Sequence, residues 1–305
     1  MQTIDVAILG ATGAVGETML DILAERQFPL GEVYALASER SAGEIVSCGD
    51  KSLTVQDVAT FDFSQVQIGL FSAGGAASAK YAPIAAEAGC IVIDNASCFR
   101  YDDDVPLVVP EVNAHAIDTL PGRGIIANPN CSTIQLLVAL KPLHDLAGIT
   151  RINVATYQSV SGSGKRGINE LIDQSAKMLN GQAIETDVYP KQIAFNVLPH
   201  IDTFQDNGYT REEMKMVWET QKIFGDESIG VNSTAVRVPV FYGHAEAVHI
   251  ETAEKISLAQ AREALMAAPG VIFMESPDYP TPMTEAVHHD GVYVGRLRED
   301  ISHPK

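Results

Sequence analysis

The segment GATGAVG, Gly10 to Gly16, follows an uninterrupted apolar run, DVAILG, and opens a stretch with helical spacing at Met19, Ile22 and Leu23. A strand that turns into a helix through glycines at 10, 13 and 16 leaves few folds open. Glycine permits positive φ, lets backbone N–H groups approach a pyrophosphate, and allows a helix to pack tightly on a strand. Such turns also occur without a ligand, so the pattern alone is weak, but its place in the first βα unit strengthens a nucleotide-binding reading. VYALAS, VQIGLFSA and GCIVID repeat the strand signal, with an Ala-rich helical stretch around Ala76 to Ala88 between the last two. This alternation predicts an α/β, doubly wound domain built on a parallel sheet covered on both faces.

We place that dinucleotide-binding domain at 1–128 and a second domain at 129–305. Beyond Asn128 the texture changes. CSTIQLLVALKPLHDL (Cys131 to Leu146) reads as a long helix, RINVATYQSV as a strand, and Lys165 to Asn180 and Arg211 to Phe224 as helices. Three β-like runs follow, Ser233 to Tyr242, Glu246 to Glu254 and Gly291 to Glu299, with a helix at ALMAAP between the last two. That order predicts an α+β domain with a mixed or antiparallel sheet.

The 39 acidic against 21 basic side chains give a net charge of −18. Such a surface repels nucleic-acid backbones and anionic lipid, so a phosphate-bearing ligand must be held by cations gathered locally. No apolar run approaches the roughly 20 residues that span a bilayer. MQTIDVAILG lacks the basic start and cleavage site of a signal peptide, so it reads as folded structure and the chain as cytoplasmic. The four cysteines, Cys48, Cys90, Cys98 and Cys131, form neither a disulfide framework nor a set at metal-ligand spacing, and no metal is expected.

At the end of the second strand lies ALASERSAG. An acidic residue here would hold the ribose 2′-hydroxyl of NAD, whereas a 2′-phosphate needs a cation and hydroxyls. Ser38, Arg40 and Ser41 supply the second set and favour NADP, although Glu39 could take the NAD role. Cys131 stands in ANPNCSTIQL at a helix start, where the helix terminus stabilises a thiolate and free N–H groups can hold an oxyanion. Cys48, Cys90 and Cys98 read as ordinary buried residues. Among eight histidines, His244 in VRVPVFYGH has a strand-end position that suits a catalytic base, though spacing separates it from the others by little. Arg237, earlier in the same run, offers a two-pronged contact to a carboxylate.

GATGAVG, ASERSAG, DNASCFR, VVPEVN, ANPNCSTIQL, YQSVSGSGKRG, REEMKM and VRVPVFYGH occur in one order along the whole chain. That series resembles the aspartate-β-semialdehyde dehydrogenase family of bacterial type. The resemblance implies a glyceraldehyde-3-phosphate-dehydrogenase-like fold, NADPH-dependent reductive dephosphorylation of β-aspartyl phosphate, and a place in lysine/diaminopimelate, methionine and threonine biosynthesis. It implies that Cys131 is the nucleophile, His244 the acid/base and Gln158 the amide orienting the acyl group. Arg237 and Glu212 would bind the substrate's carboxylate and ammonium, and Arg100, Asn130 and Lys215 the phosphate. Gly10, Thr12, Gly13, Ala14, Val15, Gly16, Ser38, Arg40, Ser41, Ser161 and Gly162 would hold NADP. A homodimer through the sheet of the second domain is also implied.

The family pattern continues past EDISHPK through another strand region and a C-terminal helix, so a chain ending at Lys305 is expected to leave its NADP site open on one side. Nearest among rivals, N-acetyl-γ-glutamyl-phosphate reductase shares the glycine turn and the cysteine–histidine pair but reads GCYPT around its cysteine. A cysteine hydrolase would leave GATGAVG and ASERSAG without a purpose. A non-catalytic NADP sensor would make Cys131, Gln158, Arg237 and His244 surplus.

Overall fold

β1 (Ile4–Leu9) shows no polar alternation because both of its faces are covered: Val6, Ala7 and Ile8 are fully buried. The computed structural model describes residues 3–118 and 122–305. Met1 and Gln2, which open the stretch read above as folded structure, lie outside the described residues. The chain forms two compact units, Met1–Val108 with Ala114–Pro129, and Val109–Asn113 with Asn130–Lys305. A single cut after residue 128 misses the excursion Val109–Asn113. Its short helix α3 (Pro110–Asn113) is too brief to show an apolar period in the sequence.

In the first unit, β1 is followed by α1 (Ala14–Glu25), β2 (Leu30–Ala37), the hairpin β3 (Ile45–Cys48) and β4 (Lys51–Thr54), and β5 (Gln56–Asp57). Then come β6 (Ile68–Phe71), α2 (Gly75–Glu87), β7 (Ile91–Asp94) and β8 (Ile125–Ala127). The sheet has the order β5-β2-β1-β6-β7-β8 and every pair in it is parallel. Strand order reverses at β1, since β2 lies on one side and β6 on the other. That reversal sets GATGAVG at the crevice where open α/β sheets bind ligands. The β3–β4 hairpin has no apolar alternation strong enough to read from sequence; its Val46 and Cys48 pack with Leu20 of α1.

In the second unit, α4 (Cys131–Ala147) leads into β9 (Ile149–Gln158), α5 (Gly164–Leu179), α6 (Arg211–Phe224), β10 (Gly230–Arg237) and β11 (Ala245–Thr252). α7 (Leu258–Ala267), β12 (Val271–Met274) and β13 (Val292–Gly295) complete it. The main sheet is mixed: β9 is central, parallel to β10 and antiparallel to β11. Leu136, Leu140 and Leu143 of α4 bury against Ile152 and Val154 of β9 and Met216 of α6. Two expectations change. β10 stops at Arg237 and does not run to Tyr242, because Pro239 has no N–H for a ladder. β13 does not join the main sheet but pairs with β12, a strand the sequence pattern did not reveal, in a separate parallel ribbon. No helix among the described residues is long and apolar enough to cross a membrane.

Candidate active site

α4 begins at Cys131 because Asn130 stops the extended chain and caps the helix, its Oδ1 accepting from the N–H groups of Ser132 (3.0 Å) and Thr133 (3.3 Å). The Ile134 N–H goes to the Asn130 carbonyl. The N–H groups of residues 132–134 are therefore engaged within the cap, and they are not the open oxyanion donors that the helix start suggested. Cys131 is solvent-exposed, and its Sγ lies 3.3 Å from Nε2 of His244.

On the other side of the His244 ring, the backbone N–H of Ser159 donates to Nδ1 at 3.0 Å, and the Ser159 hydroxyl lies 3.1 Å from the same atom. A neutral ring whose Nδ1 accepts carries its proton on Nε2, so an N–H faces the sulfur. Burial pushes the His244 pKa down to about 4, and the Arg237 charge adds to the effect. Arg237, at the end of β10, is buried and gives its Nη1 hydrogen to the Ser159 carbonyl at 2.6 Å. Gly162 lies against both groups: a Cβ there would be 2.9 Å from Arg237 Nη1 and 3.6 Å from His244 Cε1. Ser161 joins through its hydroxyl, 2.9 Å from that of Ser159.

A second network is centred on α6. Thr210 and Glu213 form a capping box, and Gly225 in the left-handed region (φ 67°) ends the helix. Glu212, Lys215 and Glu219 recur at helical spacing on one side of it. Glu212 Oε1 accepts from Asn130 Nδ2 at 2.9 Å and Gln158 Nε2 at 3.0 Å, while Oε2 accepts from Lys215 at 2.9 Å. Burial alone would raise the Glu212 pKa, but Lys215 and these donors outweigh it and hold the carboxyl below its usual range. Burial likewise works against the Lys215 charge, yet Glu212 and Asp202, the latter at 2.8 Å, carry its pKa above the ordinary lysine value. Gln158 is in register with Arg237 across β9 and β10, and its Oε1 accepts from Thr156 at 3.2 Å.

Cys131, His244, Arg237, Ser161 and Gly162 thus meet in one cluster, and Asn130, Gln158, Glu212 and Lys215 in an adjoining one. Sequence reasoning missed Ser159, Asp202 and Glu219. Glu219 is fully buried and accepts the Asn130 N–H at 2.6 Å, fixing the residue before the cysteine. The acid spacing within α6 was the available signal for it. Cys48 and Cys90 are buried as expected, but Cys98 is only half-buried. Its pKa is pushed up to about 12 by burial and by Asp94 beside it, which makes it a poor nucleophile.

Arg100, Ser38, Arg40, Ser41 and the glycine turn belong to the first unit. Arg100 is buried there, with Nη2 donating to the Asn95 carbonyl at 2.9 Å. Gly10 has φ +94°, and a Cβ on it would come within 2.9 Å of the Ala73 nitrogen; one on Gly16 would lie 2.2 Å from the Gly10 carbonyl oxygen. α1 starts at Ala14 with no side-chain cap, leaving its N-terminus suited to an anion. Ser38, Glu39 and Arg40 are exposed at the end of β2. This cradle fits a dinucleotide phosphate.

Comparison with known proteins gives this arrangement a class. Residues 5–120 match the semialdehyde dehydrogenase NAD binding domain, and 140–305 the semialdehyde dehydrogenase dimerisation domain. Aspartate-semialdehyde dehydrogenase of Shewanella violacea is 62% identical over 99% of this chain and 90% of its own length. That of Bacillus subtilis is 46% identical over 97% and 88%. A crystal structure of aspartate semialdehyde dehydrogenase II complexed with ASA, from Vibrio cholerae, superposes with a TM-score of 0.98 at 62% identity, covering 99% of this chain and 90% of that one. The Candida albicans enzyme with NADP gives 0.76 at 26% identity, covering 98% and 90%. The chain belongs to the aspartate-semialdehyde dehydrogenase family.

Proposed function

We propose that this enzyme interconverts β-aspartyl phosphate and aspartate β-semialdehyde with NADP, in the biosynthesis of lysine/diaminopimelate, methionine and threonine. The observation that carries the reading is the exposed Cys131 sulfur 3.3 Å from His244 Nε2. The Cys131 thiol gives its proton to solvent, since His244 Nε2 already carries one, and the thiolate attacks the acyl carbon, forming a C–S bond as the C–O bond to phosphate breaks and phosphate leaves. Gln158, fixed by Thr156 and Glu212, orients the acyl oxygen. His244 donates its Nε2 proton toward the oxyanion or the departing sulfur, a role that suits the neutral tautomer. Arg237 binds the substrate α-carboxylate. Glu212, held anionic, has one acceptor direction left for the α-ammonium, and Lys215 has one of three N–H groups left for phosphate. Arg100 and Asn130 complete the phosphate reading.

Gly10, Thr12, Gly13, Ala14, Val15, Gly16, Ser38, Arg40 and Ser41 would hold NADP, the family resemblance adds Ser161 and Gly162, and the bound cofactor would supply hydride exchange. The choice of NADP over NAD rests on Arg40 between two serines. The protein works as a homodimer in the cytoplasm, without nucleic-acid or membrane partners. The test follows absorbance of the reduced nicotinamide with aspartate semialdehyde, NADP⁺ and phosphate. Phosphate-dependent reduction is expected, with Cys131→Ser losing several orders of magnitude in turnover, because an alkoxide is neither formed nor expelled easily near neutral pH. Reduction that ignores phosphate, or turnover confined to the acetylglutamyl analogue, would overturn the assignment.

A further inference from the structure

Two side chains outside the proposed chemistry join the elements that carry it. Gln135 lies one helical turn after Cys131 on α4, so the two share a face of the helix. Glu246 is the second residue of β11, and His244 immediately precedes that strand. Gln135 Nε2 donates to Glu246 Oε1 at 2.8 Å. The four residues form a frame. Its long sides are the helical step from Cys131 to Gln135, roughly 6 Å, and the two-residue step from His244 to Glu246, which spans at most roughly 7 Å. Its short sides are the 3.3 Å Sγ···Nε2 contact and the 2.8 Å bond.

We propose that Gln135 and Glu246 are positioning residues, a strut that sets the separation and angle of Cys131 and His244. The proposal rests on the catalytic reading above. Glu246 sits opposite Thr156 across β9 and β11, and Thr156 in turn holds the Gln158 amide, so the strut bears on that residue too. Burial pushes the Glu246 carboxyl up to about 8. At neutral pH it is thus an uncharged acceptor, and glutamine reproduces both its shape and its charge there.

The experiment compares Gln135→Met, Glu246→Met, Glu246→Gln and the double methionine variant. Three quantities are read: kcat and KM in the phosphate-dependent assay, the rate at which iodoacetamide alkylates Cys131 in the resting enzyme, followed by peptide mass, and the melting temperature. A misplacement of about 1 Å near reacting atoms costs up to about a hundredfold. Each methionine variant is expected to lose roughly ten- to hundredfold in kcat and to show a changed alkylation rate, with KM within about twofold. The double variant should be no worse than either single one, since both break the same bond. Glu246→Gln should stay within about threefold of wild type. Wild-type kcat and alkylation in the methionine variants, losses that multiply in the double variant, or a Glu246→Gln as impaired as Glu246→Met would overturn the strut. If wild type failed to turn over the semialdehyde, the proposed function would fall, while the alkylation comparison would still decide the strut.

Discussion

His244 illustrates how one backbone donor decides a side chain's chemistry. The Ser159 N–H donates to Nδ1, so the ring's single proton stays on Nε2, toward the sulfur. Burial, reinforced by Arg237, takes the pKa from 6.5 down to about 4. Between those values the unfolded chain binds the extra proton and the folded chain does not. The residue's contribution to stability is therefore complete above about pH 6.5 and lost as pH falls through about 4. At pH 6, ring nitrogen NMR should show His244 neutral with hydrogen on Nε2; an imidazolium signal at that pH would contradict this. Gly162 sets the other boundary. Alanine there would press on the Arg237 guanidinium, whose position is fixed by its 2.6 Å bond to the Ser159 carbonyl. Gly162→Ala is expected to lower kcat/KM for the semialdehyde about tenfold, or about 1.4 kcal/mol, with melting unchanged. Undiminished steady-state kinetics would show that the guanidinium can yield.

At the scale of elements, the site depends on where α4 starts. Asn130 caps that helix through Oδ1, reaches Glu212 through Nδ2 and Glu219 through its backbone. Losing the cap costs about 1–2 kcal/mol. Asn130→Ala should lower the melting temperature by roughly 2–4 °C per kcal/mol lost, and calorimetry would check this. Full activity with an unchanged melting point would show that the Cys131 turn holds without it. Helix starts and buried strands were legible in the sequence because caps, glycines and apolar runs are local signals. Cys131 at a helix start and β1, β2, β6 and β7 follow from such signals, whereas the two-residue β5 and three-residue β8 are too short to show one. The partner of β13 did not, since pairing between β12 and β13 leaves no mark in either segment alone. Nor did the work of Asn130: the family resemblance assigned it to phosphate, while the structure also makes it a cap tied to two buried glutamates. Composition could not show Glu219 as buried, because a fully buried carboxylate requires partners that only the fold brings near.

For the molecule as a whole, the open question in the sheet of the second unit is what covers its outer face. Side chains alternate along each strand. Ile152, Val154, Thr156 and Gln158 of β9 point inward and are buried, so Asn153, Ala155 and Tyr157 point outward. In register beside Ala155 lie Thr234 on β10 and Ala247 on β11, and beside Tyr157 lie Val236 and Ala245. Tyr157 is 44% exposed in the single chain, and Ala247 is exposed too. The face is low and mostly uncharged at its centre, with Arg151 and Glu251 at one end. Small residues let a second sheet approach closely, and large apolar exposure marks an interaction surface. A symmetric pairing of two copies would bury this face against itself. It would also put β9, the strand that carries Gln158 on its inward side, within the interface. Sedimentation is expected to give twice the chain mass for wild type. Ala247→Glu would put a charge from each copy into a desolvated interface, where an unpaired charge is strongly unfavourable. It should shift the protein to monomer at micromolar concentration and lower turnover with it. A monomeric wild type, or an Ala247→Glu protein that stays dimeric and fully active, would exclude this face as the dimer contact.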